Sequence, residues 1–222
     1  MRISCFGPLA FASVLTVGVA LAAGPPPWAY GFEGPPPAGA QPTPIAPAPT
    51  DQKPLSLPGN SKQFSRAQIA NRFGPADWYP EEHPAMPEIV AKGKQGTVWA
   101  CGLCHYPNGK GRAENAGVSG LSAEYFIKTM NDFKNGNRKS ADPRKMNSNL
   151  MAAFAKNMTD EEIKAAAEYY AAIKWTPWIK VVETKMAPKA KPNNGLFIVE
   201  GEKPEMEPLG NRILETPVNG EA

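Results

Sequence analysis

The sequence predicts an all-α core set between long, irregular, proline-rich extensions at both ends. Three observations lead there. Two central segments carry helix-start chemistry followed by apolar residues at helical spacing. The stretch around them offers no run suited to a parallel sheet. The 25 prolines are unevenly placed, and 12 of them fall within residues 24–58. Fixed φ and missing N–H donors favour extended chain there.

Taken in order, the chain opens on an export signature. Arg2 precedes an apolar run over residues 9–20, broken only by Ser13 and Thr16. Ala20-Leu21-Ala22 then gives a small-x-small cleavage pattern, so residues 1–22 read as a signal peptide. The run is shorter than the roughly 20 residues a spanning helix needs, and no membrane span is expected in the mature chain. Cys5 leaves with the signal, so two cysteines remain in an exported, oxidising setting, which predicts a periplasmic protein.

Residues 23–60 form a proline-rich extension, with only Glu33, Asp51 and Lys53 charged between 24 and 58. Trp28, Tyr30 and Phe32 alternate between two Pro-Pro-Pro runs, as a docking element or as a sticky tail. Residues 61–86 read as an ordered wrap with one short helix. Ser65-Arg66-Ala67-Gln68 has capping-box spacing, Phe64 and Ile69 are placed as a staple, and Gly74-Pro75 ends the helix. Four prolines in residues 75–87 keep the remainder of the wrap irregular.

The core is expected over residues 87–174. Pro87 suits the first turn of a helix carrying Ile89 and Val90. Ser122 can cap a second helix whose inward stripe is Phe126, Met130 and Phe133, terminated by Gly136. Thr159 and Glu162 form another capping box, followed by Ile163, Ala166, Ala167, Tyr170 and Ile173. Residues 175–222, a C-terminal extension, lack helical periodicity. Residues 178–184, 196–200 and 212–215 are short β-like runs within it.

Composition limits the function. A formal charge of +3 leaves no electrostatic footprint for nucleic acid. Three cysteines are too few for a disulfide scaffold, and two histidines exclude a histidine-rich metal site. Gly109-x-Gly111 follows no strand and lacks a third glycine, so it is no nucleotide fingerprint.

Cys101-Gly102-Leu103-Cys104-His105 is the C-x-x-C-H pattern of covalent haem attachment. Two thiols one helical turn apart can add to the two vinyl groups on one edge of haem. The histidine directly after the second thiol then lies beneath the iron. A thioredoxin-like site would need βαβ patterning, and zinc would need four ligands in finger-like spacing. A plain disulfide leaves His105 without a role. One haem c is therefore expected, held by Cys101, Cys104 and His105.

From the motif outward the chain resembles the class I cytochromes c of bacterial periplasms, particularly the small mono- and di-haem kind. The likeness runs through Asn108-Gly109-Lys110-Gly111-Arg112, Gly120-Leu121-Ser122-Ala123-Glu124-Tyr125 and Thr159-Asp160-Glu161-Glu162-Ile163. It implies the class I cytochrome c fold and a methionine as second axial ligand. The segment headed by Met151, Met151-Ala152-Ala153-Phe154-Ala155 before the last helix, resembles the family's axial segment, so the resemblance points to Met151. Met146 is the runner-up and His83 a distant third, while Met130 and Met158 read as core. The matching position for the carbonyl that steadies His105 is Ala116, where the family usually has proline.

The resemblance implies an electron carrier rather than an enzyme, exchanging single electrons with protein donors and acceptors. Two alternatives stay open: an electron-entry subunit of a larger dehydrogenase or respiratory complex, and a ligand-binding haem sensor. Self-association is open as well. Arg138, Lys139, Arg144 and Lys145 are either a basic docking ring or a solvated loop.

Overall fold

In a computed structural model of the chain, residues 34–193 and 196–216 are described. Residues 1–22, expected from sequence to be a signal peptide, and the Trp28, Tyr30 and Phe32 cluster lie outside them. Among the described residues, no helix is long and apolar enough to cross a membrane.

The order is β1 (Pro54–Ser56), β2 (Gln63–Ser65), α1 (Arg66–Ile69), α2 (Glu88–Ala91), α3 (Cys101–His105), α4 (Ala123–Lys134), α5 (Met146–Asn157) and α6 (Asp160–Ala172). Four short strands complete it: β3 (Met186–Pro188), β4 (Ala190–Asn193), β5 (Leu196–Val199) and β6 (Met206–Pro208). The helices carry the core, as the sequence predicts.

Local chemistry sets the helix starts. Ser65 accepts from the Gln68 N–H while the Gln68 side chain accepts from the Ser65 N–H, and Thr159 with Glu162 repeats this reciprocal cap on α6. Ser122 caps α4 through the Tyr125 N–H, and Gly136 follows its end at φ +76°. Pro87 stands at the N-cap of α2, one position before the first turn. Helix α6 packs on α4 and α2. Ala166, Ala167 and Tyr170 are wholly buried and Ile163 nearly so. Alanine at two successive buried positions lets backbones approach closely while Tyr170 fills the remaining volume.

Several elements differ from expectation. Helix α1 is a single turn that closes at Ala70, not at Gly74-Pro75. The Asn71 side chain accepts from the Phe73 N–H and offers the backbone a turn instead of more helix. Phe64 packs edge-on against Trp78, with ring centroids 4.8 Å apart. Strand β1, within the proline-rich extension expected to be extended linker, pairs with β2 of the ordered wrap as a hairpin. The chain reverses there at Pro58-Gly59, where Gly59 has φ +77° and the Asn60 N–H reaches the Leu57 carbonyl. A type II turn demands that pairing of residues.

In the tail only residues 196–199 of the three β-like runs are strand, paired with β4 in a hairpin. Residues 178–184 and 212–215 are not. Their β-branched composition meets no partner edge among the described residues, and β-propensity without a neighbour makes no strand. The other ribbon pairs β3 with β6.

Candidate haem site

Helix α3 is one turn long and places Cys101 and Cys104 three residues apart on one face, with His105 at its end. What ends the helix is Tyr106, at φ +60°, the only non-glycine residue with positive φ among the described residues. The chain then folds back over the helix terminus. The Gly111 N–H donates to the His105 carbonyl, the Arg112 N–H to that of Cys104, and Arg112 Nε to that of Leu103. Carbonyls that a helix end leaves unpaired are thus satisfied by the glycine-rich turn.

The same turn delivers the partner of His105. Val118 and Ser119 both donate to the Gly109 carbonyl and close the loop. Gly109 and Gly111 sit at φ +71° and +80°, where a side chain would be strained. The result places the Ala116 carbonyl 2.8 Å from His105 Nδ1. With Nδ1–H donating there, Nε2 is left as the lone-pair nitrogen. Burial holds the imidazole below the usual histidine range, and the Ala116 bond opposes this only in part. The neutral ring is the ligating form.

Burial also pushes the Cys101 thiol up to about 12, and it raises Cys104 against the pull of Arg112. A redox-active C-x-x-C needs a thiol whose pKa is lowered. These two are displaced the other way, which speaks against thioredoxin-like exchange.

Cys101, Cys104, His105 and Met151 line one cavity of about 450 Å³. Its walls are largely apolar, with Leu121, Phe126, Phe133, Phe154 and Tyr170 among them. Two thiols followed by an imidazole beside an apolar slot are what covalent attachment of haem needs, and Met151 places a thioether in the same lining. Met130 and Met158, read from sequence as core, are indeed buried, but both also line this cavity. Their helical spacing gave no signal of that.

The other ligand candidates lie elsewhere. Met146 begins α5 but is not part of the lining. His83 has both ring nitrogens engaged, Nε2 with Asp77 Oδ2 at 3.0 Å and Nδ1 near the Pro84 carbonyl at 2.8 Å and the Tyr169 hydroxyl at 3.0 Å. Within the basic cluster, Arg144 is paired with Asp142 at 2.7 Å, and the Arg138 guanidinium lies 5.4 Å from the Phe133 ring centroid. Arg138 and Lys145 line the cavity, and Lys139 is exposed.

Comparison with known proteins identifies the family. The sequence profile of the family described as Cytochrome c matches residues 90–174. The cytochrome subunit of sulfide dehydrogenase from Chlorobaculum tepidum is 30% identical over 102 residues, covering 46% of this chain and 86% of that one. The thiosulfate dehydrogenase electron acceptor of Stutzerimonas stutzeri is 39% identical over 72 residues, 32% of this chain and 31% of the other. Reduced recombinant cytochrome c4 from Pseudomonas stutzeri, a crystal structure, is 32% identical with a TM-score of 0.34, covering 39% of this chain and 45% of that one. The chain thus spans most of the first relative's length and less than half of the other two. It belongs to the cytochrome c family, as a class I c-type cytochrome that binds haem c covalently.

Proposed function

We propose that the protein is an exported electron-transfer cytochrome carrying one haem c, attached through Cys101 and Cys104, with His105 and Met151 as axial ligands. In this reading residues 1–22 are a signal peptide directing the chain to the periplasm. Residues 87–174 are the haem domain, flanked by the 23–60 extension, the 61–86 wrap and the 175–222 extension. The observation that carries the proposal is the apolar cavity lined by both thiols, the Met151 side chain and an imidazole tied to Ala116.

Haem c, when bound, supplies a one-electron ferric/ferrous couple. Around it, His105 is held in one tautomer by Ala116, which fixes ring orientation and raises ligand basicity. Met151 offers a neutral thioether, which favours the ferrous state relative to a second imidazole. The apolar lining keeps water from the site, so the residues support electron exchange without bond-making at the metal.

Redox partners are proteins. Two relatives are named as a dehydrogenase's cytochrome subunit and a dehydrogenase's electron acceptor. The corresponding role here is service to a periplasmic dehydrogenase. Its docking surface would include Trp178, Ile179, Val181 and Val182, which are exposed immediately after the haem domain. Clustered exposed apolar side chains of this kind mark interaction sites.

Potentiometric titration of the purified holoprotein tests the reading, together with exposure of the ferrous form to carbon monoxide. A reversible one-electron wave and slow, incomplete carbon monoxide binding are expected. Rapid stoichiometric binding would favour an open-site haem sensor instead.

A further inference from the structure

The proline-rich extension is tied down at two places: at Arg144, next to the cavity-lining Lys145, and at Arg72, which stacks on the cavity-lining Trp99. Helix α5, which carries Met151, starts without a side-chain cap. Its first turn is anchored by Asn147 on Asn115 and by Asn149 on the Pro143 carbonyl, and the chain entering it is held by Arg144, two residues ahead of the helix. The Arg144 guanidinium donates to the Gly34 carbonyl through Nη2 at 2.9 Å and is itself fixed by Asp142 at 2.7 Å. The Arg144 carbonyl accepts twice from one residue, from the Thr43 N–H at 3.1 Å and from Thr43 Oγ1 at 3.0 Å. Thr43 is the only residue of 41–50 that is not exposed.

A turn makes this possible. The Ala40 N–H donates to the Pro37 carbonyl, with Gly39 at φ +76°. Residues 34 and 43 therefore grip the side chain and the backbone of the same arginine. Three residues on, the Ala46 carbonyl accepts from Arg72 Nη2 at 2.9 Å, and the Asp51 carbonyl accepts from the Ala67 N–H. The Arg72 guanidinium lies 4.4 Å from the centroid of Trp99, which lines the cavity and packs on Phe154 of α5. Prolines on both sides of Thr43 stiffen the segment, so little conformational freedom is lost when it docks.

We propose that residues 34–51 act as a strap that holds the α5 entry in place, with Thr43 and Arg144 as positioning residues for the Met151 thioether. This rests on Met151 being the axial ligand. The strap ties the segment leading to Met151 to the wall that leads to the haem cysteines. Released from it, α5 can move away from the cavity and open the sixth position.

Thr43→Pro in the full-length holoprotein removes both donors to the Arg144 carbonyl and leaves the haem domain untouched, in a context already flanked by Pro42 and Pro44. Thr43→Ser keeps both donors, and Arg144→Gln removes the guanidinium that reaches the Gly34 carbonyl and Asp142. The expected result is carbon monoxide binding to the ferrous protein at least tenfold faster in Thr43→Pro and Arg144→Gln, with Thr43→Ser at the wild-type rate. Should Arg144→Gln fail to fold, Thr43→Pro decides alone. Unchanged rates in Thr43→Pro, in a protein whose sulfur-to-iron charge-transfer band disappears in Met151→Ala, would overturn the strap and leave the ligand assignment standing. A band that survives Met151→Ala would overturn both.

Discussion

His105 Nδ1 lies 2.8 Å from the carbonyl oxygen of Ala116, eleven residues further along the chain. A backbone acceptor needs no particular side chain, so alanine serves where the family usually has proline. The contact does need the loop geometry set by Gly109 and Gly111. A Cβ on Gly111 would stand 2.8 Å from the Ala116 oxygen itself, at φ +80°.

Gly111→Ala should therefore destabilise the protein by about 1–3 kcal/mol through backbone strain. It should also push the Ala116 carbonyl away from the ring. A weaker Nδ1–H bond leaves the imidazole less basic, so the midpoint potential should rise. Thermal unfolding and a potentiometric titration of the same variant check the two effects together.

The His83 cluster makes a different prediction. Tyr169 donates its hydroxyl proton to the Pro107 carbonyl at 2.7 Å and lies 3.0 Å from His83 Nδ1. Burial, and then the Asp77 carboxylate, raise the Tyr169 phenol, so it stays a donor. This joins the 75–87 wrap to α6 and to the residue two places after His105. Tyr169→Phe should cost about 1–2 kcal/mol in chemical denaturation, the worth of a part-buried hydrogen bond. His83→Ala should leave the ferric spectrum unchanged, and loss of its low-spin features would make His83 a ligand.

The strap's anchor carries its own pH dependence. Arg144 beside Asp142 holds that carboxyl below its usual 3.8. The folded state therefore binds the Asp142 proton less readily than the unfolded chain does. Its stabilisation is complete above 3.8 and is lost as pH falls through the lower folded value. Wild type should melt above Asp142→Asn at neutral pH, and the gap should narrow as pH is lowered below 3.8. A gap independent of pH would mean that the stabilisation does not come from the charge on Asp142.

The parts of this fold that were legible in sequence are those decided by local chemistry. Ser65, Ser122 and Thr159 cap where their spacing to Gln68, Tyr125 and Glu162 says they should, because a cap involves only four residues. The C-x-x-C-H motif is local for the same reason, and it alone sets the positions of both thiols and the imidazole on α3. Helix α5 gave less away, since it lacks a cap and its apolar residues show little sidedness. Residues 178–184 have strand composition without a strand to pair with among the described residues. The contact between Thr43 and Arg144 spans 101 residues, and no local pattern announces a bond of that reach. The role of His83 has no local signal, because its partners, Asp77 and Tyr169, come together only through the tertiary fold.

The ferric absorption spectrum of wild type beside Met151→Ala tests the axial assignment most directly. The wild type should show a low-spin spectrum with a sulfur-to-iron charge-transfer band. In Met151→Ala that band should vanish while the haem stays covalently attached through Cys101 and Cys104. A band that persists in Met151→Ala would contradict the assignment and place another cavity-lining methionine, Met130 or Met158, on the iron.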